Sequence, residues 1–202
     1  MKKNILSLFA FALLAAACGS NESTEQTTAD TTTTTSVATP APPAAPPASN
    51  LSEAGTAALV ELRDAYLKLK DAFVATDASA ADAAAQNLVT ATEKLKTQLA
   101  SENKPELNAQ ADSILNGAKE IVAATDDNPI LGRKRASFEH ISDASYHLFQ
   151  NAGLTHSGLY VQHCPMAFKN KGASWLAAET DIRNPYYGDK MLECGEVTDT
   201  LK

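Results

Sequence analysis

The chain has 202 residues and a formal net charge of −7. Acidity without a basic stripe argues against nucleic acid as a partner, because phosphate binding needs clustered Lys and Arg. Three cysteines in this length exclude a disulfide-framed mini-protein.

The N-terminus has the features of a secretory signal. Lys2 and Lys3 form a charged start, and Ile5 to Leu14 form an apolar run too short to span a bilayer. The run ends in Ala15-Ala16-Ala17-Cys18-Gly19, which resembles the lipobox of bacterial lipoproteins. That resemblance implies a signal peptide over 1–17, cleavage before Cys18, and acylation of the Cys18 thiol and its new amino group. The lipobox usually has Leu three positions before the cysteine; here Ala15 stands there, with Leu14 one step earlier. An ordinary signal peptide with an incidental cysteine, or an uncleaved anchor, are the alternatives. By analogy with lipoprotein sorting, Gly19 rather than Asp favours the outer membrane. The expected location is therefore the cell envelope, lipid-anchored on the periplasmic side, with no transmembrane helix required. Cleavage removes two lysines and no acid, taking the side-chain charge from −7 to −9. The compartment is oxidising enough for a disulfide to persist.

Residues 18–50 combine the lipidated cysteine with a Ser/Thr/Ala/Pro tether, including Thr31 to Thr35 and a proline-rich run from Pro40 to Pro47. Such composition buries little apolar surface and predicts disorder with polyproline II character. As a flexible coil of ~32 residues it reaches roughly 30 Å, enough to lift a domain off a membrane.

From Leu51 to about Gly153 the apolar pattern is helical, in four segments. The first stripe is Leu59, Leu62, Tyr66, Leu69 and Phe73; the second is Ala84, Leu88, Ala91, Leu95 and Gln98/Leu99. The third is Leu107, Ala111, Ile114, Ala118 and Ile121; the fourth is Phe138, Ile141, Ser145, Leu148 and Ala152. Steps of three and four put each stripe on one helix face. Asn50 with Glu53 fits a capping box, Pro105 a first turn, Asn128-Pro129 a cap and first position, and Gly153 a C-terminal cap. Short connections predict antiparallel neighbours. The fold class expected is mainly α, an up-down four-helix bundle with a small irregular C-terminal cap, the cap covering about 154–202 of a single folded region 51–202.

Within the cap, Gly158-Leu159-Tyr160-Val161-Gln162 could be a short strand; glycines and prolines punctuate the rest. The tail is too small to bury its own core, so Trp175, Leu176, Ile182, Tyr186 and Tyr187 are expected to anchor it on the bundle.

All sulfur of the folded region lies in this tail, in His163-Cys164-Pro165-Met166 and Met191-Leu192-Glu193-Cys194-Gly195. Thiolates and thioethers select soft ions such as Cu(I), and methionine disfavours zinc. A turn at Pro165 would send Cys164 and Met166 to one side, and a helix would put Met191 and Cys194 on one face. The candidate metal ligands are Cys164, Met166, Met191, Cys194 and His163. Against this stands a Cys164–Cys194 disulfide clamping the tail, a contribution of roughly 3–4 kcal/mol in the chain-entropy model, with the methionines as core filler. His140 and His147 lie together away from the core stripe of the fourth helix, either facing solvent or beneath the tail; His156 is in the loop that enters the tail. No catalytic constellation is recognisable: there is no phosphate loop, no HExxH and no oxyanion motif beside the cysteines.

The stretches Tyr160-Val161-Gln162-His163-Cys164-Pro165-Met166-Ala167, Gly172-Ala173-x-Trp175-Leu176, and Ile182-Arg183-Asn184-Pro185-Tyr186-Tyr187-Gly188-x-x-Met191-Leu192-x-Cys194-Gly195 resemble an uncharacterised bacterial domain family. Its members are free-standing lipoproteins or periplasmic proteins, and the domain is also fused to adaptor subunits of copper/silver-type efflux pumps. Cys164, Met166, Met191 and Cys194 match its signature; His163 adjoins it. The resemblance implies a helical domain with a Cys/Met-bearing cap and a place in heavy-metal homeostasis. The expectation is a non-enzymatic lipoprotein that binds a soft metal, Cu(I), for sequestration or hand-off to efflux-pump components. The alternative is an interaction module clamped by the disulfide.

Overall fold

The computed structural model describes residues 45–124 and 131–201, all within the unit Pro42–Lys202, the larger of two into which the chain divides. The leader, Cys18, most of the tether and Asn128-Pro129 lie outside the described residues. Four long helices are followed by three strands: α1 Glu53–Val74, α2 Ala78–Ser101, α3 Asn108–Ala123, α4 Gly132–Asn151, β1 Leu159–Cys164, β2 Ala173–Ala177 and β3 Glu196–Leu201. The fold is mostly helical, with a small antiparallel sheet at the C-terminus. None of the described helices is long and apolar enough to cross a membrane.

Every position of the four predicted stripes is buried except Gln98, whose neighbour Leu99 takes the inward place. Each helix thus presents one apolar face, and consecutive helices pack on one another: α1 on α2, α2 on α3, α3 on α4. Small residues let them approach closely. A Cβ at Gly117 of α3 would stand 2.7 Å from Ile141 of α4.

Helix ends follow local chemistry more than residue preference. Ser52, rather than Asn50, caps α1: its Oγ accepts from the Gly55 N–H at 3.0 Å. The reason is competition, since Asn50 is drawn to the end of α4, its N–H donating to the Ala152 carbonyl at 2.8 Å and its side chain lying where a Cβ on Gly153 would go. Glu102, at the end of α2, in turn accepts from both the N–H (2.8 Å) and the hydroxyl (2.5 Å) of Ser52. These bonds hold the Glu102 carboxyl below its ordinary pKa, aided by Lys104 and opposed by slight desolvation. A depressed folded-state pKa stabilises above the unfolded carboxylate range and loses that contribution as pH falls through the folded value. Glu102→Gln is therefore expected to cost stability at neutral pH. The gap from wild type should close as a series of denaturation midpoints descends below about pH 4. A constant gap would sink this assignment.

At the end of α4, Gly153 (φ 66°) closes a Schellman motif: its N–H donates to Gln150 O at 3.0 Å, and Leu154 N–H to Phe149 O at 2.9 Å. Pro105 opens a 3₁₀ turn, Pro105–Leu107, leading into α3.

The cap is an ordered sheet, not irregular chain. Its strand order is β2-β1-β3, antiparallel throughout, with Val161 opposite Leu176 and Cys164 opposite Ala173. β2 lies against α4 and α1. Where α1 and α4 leave room between them, Tyr66 fills the gap: its hydroxyl lies 2.9 Å from Ser142 Oγ and accepts from the Leu176 N–H at 3.0 Å. Burial raises the Tyr66 phenol well above its ordinary pKa, so it stays neutral. Phe138, Tyr186 and Trp175 continue this contact into one core shared by helices and cap, with Ile182 and Tyr187 packed against it. Lys70 of α1 is buried and ion-paired with Glu179 beyond β2 and with Asp71 at 2.8 Å.

Candidate functional site

Strand alternation decides which donors meet. In β1, Gln162 and Cys164 face the segment that follows β2; the Gln162 amide donates to the carbonyls of Glu179 (2.8 Å) and Asp181 (3.2 Å). Val161 and His163 face the other way, lining a cleft of about 550 Å³ between the sheet and α4. Its walls include Glu139, Asp143, Tyr146, His147 and Asp199.

The segment from Ala178 to Gly195 folds over the first face and brings Cys194 back to Cys164. Asn184, fully buried, organises it. Its Oδ1 accepts from the N–H groups of Tyr186 (2.8 Å) and Tyr187 (3.2 Å), and its Nδ2 donates to the Cys194 carbonyl at 2.8 Å. Gly195 then passes so close to β1 that a Cβ there would lie 2.9 Å from both His163 O and the Trp175 ring. Any side chain at Gly195 would push Cys194 away from its partner.

The outcome is a sulfur pair. Cys164 Sγ and Cys194 Sγ are 2.7 Å apart. Cys164 is fully buried and Cys194 half-buried. The Cys164 thiol, and then burial, push the Cys194 thiol up from its ordinary pKa, while the Met166 main-chain N–H directed at it opposes them. Met166 itself is 47% exposed, and its carbonyl accepts from the Tyr187 hydroxyl at 2.6 Å. Met191 follows a 3₁₀ turn, Gly188–Lys190, and its carbonyl accepts from the Cys194 N–H at 3.2 Å. The two are joined by a turn, not by the shared helical face expected.

Cys164, Cys194 and the Met166 main chain are thus together, with Met191 one turn away along the same loop. His163 is not with them. It projects into the cleft, where its Nδ1 lies 3.0 Å from Ser174 Oγ. His147 lines that cleft too, 3.7 Å from Asp143, while His140 pairs with Glu139 at 3.3 Å and His156 is exposed. Among the described residues, no group of three or more His, Cys, Asp or Glu side chains is placed to hold a metal ion.

Two features of this region were not legible as functional. Asn184 was visible only as part of an Asn-Pro-Tyr-Tyr string, and a buried Asn bonded on both sides leaves no periodic trace. Directly after Met166, Phe168, Lys169 and Asn170 all take left-handed backbone conformations (φ 50°, 61° and 67°), followed by Gly172 at 81°. Consecutive left-handed non-glycine residues are costly, roughly 1–2 kcal/mol each, so the packing around them has to hold the turn in place.

Residues 62–157 match a family described as a protein of unknown function (DUF3347). The match covers the helices from Leu62 of α1 to the end of α4 and stops before β1, so it leaves out the cysteine motifs. No curated protein matches the chain, and no solved structure does.

Proposed function

We propose that this protein is an exported, lipid-tethered binding module whose four helices run up and down, and whose cap takes a soft metal ion, Cu(I), as cargo for sequestration or transfer to an efflux system. The observation that carries the proposal is the meeting of Cys164 and Cys194 from motifs 30 residues apart, beside the Met166 main chain. The donor set fits the ion. Two thiols adjoin, the Met166 thioether is at the surface of the same turn, and soft sulfur is what Cu(I) selects. Because thiols must lose protons to bind, and the Cys194 thiol is raised, affinity is expected to rise with pH. Attachment through Cys18 to the outer membrane, facing the periplasm, rests on the lipobox resemblance.

The test is Cu(I) affinity by competition against a chromophoric chelator. Cys164→Ala and Cys194→Ala should each weaken binding by roughly 100-fold or more, about 2.7 kcal/mol. Met166→Ala should weaken it less, and His163→Ala should leave it unchanged. Undiminished affinity in the double cysteine variant would overturn the proposal.

The second reading, a disulfide that clamps the cap, is favoured by the same 2.7 Å approach. A closed pair would contribute roughly 3–4 kcal/mol in the chain-entropy model and leave no thiolate for a metal.

A further inference from the structure

We infer that the cysteine pair is a polarised thiol–disulfide couple. Cys194 is the sulfur that exchanges with external thiols and disulfides, and Cys164 is the resolving sulfur behind it. The inference rests on reading Cys164 and Cys194 as a working pair and adds its direction of attack.

Exchange at sulfur needs the incoming thiolate, the attacked sulfur and the departing sulfur nearly in line, so access selects which sulfur is attacked. Cys164 ends β1, is fully buried, and sits in the middle strand of the sheet. Attack on it would require a nucleophile arriving from inside the core. Cys194 is partly exposed, in the loop between the 3₁₀ turn and β3. An approach from solvent to Cys194 has Cys164 as the sulfur on its far side.

The chemistry balances in both directions. In reduction, an external thiolate bonds to Cys194 Sγ as the Cys194–Cys164 bond breaks and Cys164 leaves as thiolate. A second external thiolate then displaces Cys194, giving two protein thiols and one external disulfide. In oxidation, the Cys194 thiolate attacks an external disulfide and expels one thiolate. The Cys164 thiolate then attacks Cys194 Sγ and expels the second, so two protein thiols are oxidised and one external disulfide is reduced. The partner class is a small thiol/disulfide couple or a dithiol oxidoreductase of the same compartment. Through this couple the metal site is available only in the reduced state.

The experiment uses the full chain, with glutathione and its disulfide as the probe and peptide mapping to locate each adduct. Cys164→Ser is expected to accumulate one glutathione on Cys194, because the resolving sulfur is missing. Cys194→Ser should label at Cys164 at least about tenfold more slowly in the native state, with the difference lost in denaturant. If the substitutions disturb folding, brief alkylation of the reduced wild-type chain supplies the same readout: Cys194 should be modified at least about tenfold faster than Cys164. Equal rates, or faster reaction at Cys164, would overturn the inference. So would a wild-type pair that millimolar glutathione leaves oxidised in the native state, the mark of a permanent clamp. No copper enters these measurements, so their failure is distinct from failure of the metal-binding proposal.

Discussion

Phe138→Ala is expected to lower stability by about 3–5 kcal/mol. The ring is fully buried at the point where α1, α4 and the cap meet. Its centroid lies 5.5 Å from Tyr66, 5.0 Å from Phe73 and 5.9 Å from Tyr186, with interplanar angles from stacked to tilted. Removing it leaves a cavity walled by three large rings held in place by other contacts, so collapse recovers little. The guanidinium chloride midpoint should fall by about 1 M for a domain of this size. Phe138→Leu, which keeps much of the volume, should lose roughly 1.5 kcal/mol. Because Tyr186 is hydrogen-bonded through its N–H to Asn184, and Asn184 holds the Cys194 carbonyl, the same truncation should also speed alkylation of Cys164 under native conditions. A loss below about 1 kcal/mol would mean that helices and cap are not energetically one core.

The helices were readable from sequence because their information is periodic. Leu59 to Phe73 and Leu107 to Ile121 repeat at the helical interval. The sheet was only partly readable. β1 stood out as Leu-Tyr-Val, but β3 reads Glu-Val-Thr-Asp-Thr-Leu, and only its last residue is buried. An edge strand held mainly by its ladder to β1 carries no apolar alternation to detect. β2, Ala-Ser-Trp-Leu-Ala, is buried at four of its five positions, which hides its period as well. At the candidate site the same physics cuts both ways. Cys164 and Cys194 were predicted as partners from chemistry and compartment, and the fold does bring them together. His163 adjoins Cys164 in sequence, yet the strand's alternation puts it on the opposite face. Neighbours in a strand are the poorest ligand pairs, a rule applicable only once β1 is known to extend through Cys164. The Asn50 cap failed for a related reason. Ser52 caps α1 instead, and that outcome depends on Asn50's bond to the end of α4 and Ser52's bonds to Glu102 at the end of α2, both far away in sequence.

Arg135→Met is expected to cost about 3 kcal/mol. Nothing in the apolar periodicity of α4 marks this side chain, because it lies off the Phe138/Ile141/Leu148 stripe. It is buried, with Nε donating to the Pro185 carbonyl at 2.8 Å and Nη2 to the Phe73 carbonyl (3.0 Å) and Thr76 Oγ1 (3.1 Å). Phe73 O belongs to the last turn of α1, where it also accepts from the Thr76 N–H at 3.2 Å and the dipole favours a cation. One guanidinium thus ties the end of α1 to the segment that carries Cys194. Desolvation lowers its pKa, with Asp189 opposing. Arg135→Lys separates charge from geometry. A single ammonium keeps the cation but cannot span acceptors on two segments in the planar fork, so it should recover only part of the loss, leaving about 1–2 kcal/mol. Gly188 lies directly over this contact: a Cβ there would stand 2.8 Å from the Arg135 Nη2, at a backbone φ of 54° that disfavours any side chain. Gly188→Ala should therefore destabilise the same joint with the arginine itself unchanged in sequence. Combined with Arg135→Met it should cost less than the sum of the two, since both break one contact. Denaturant midpoints for the two singles and the double close the cycle. Strict additivity would show that Arg135 acts on α1 alone and that the cap is held to the helices by its aromatic rings.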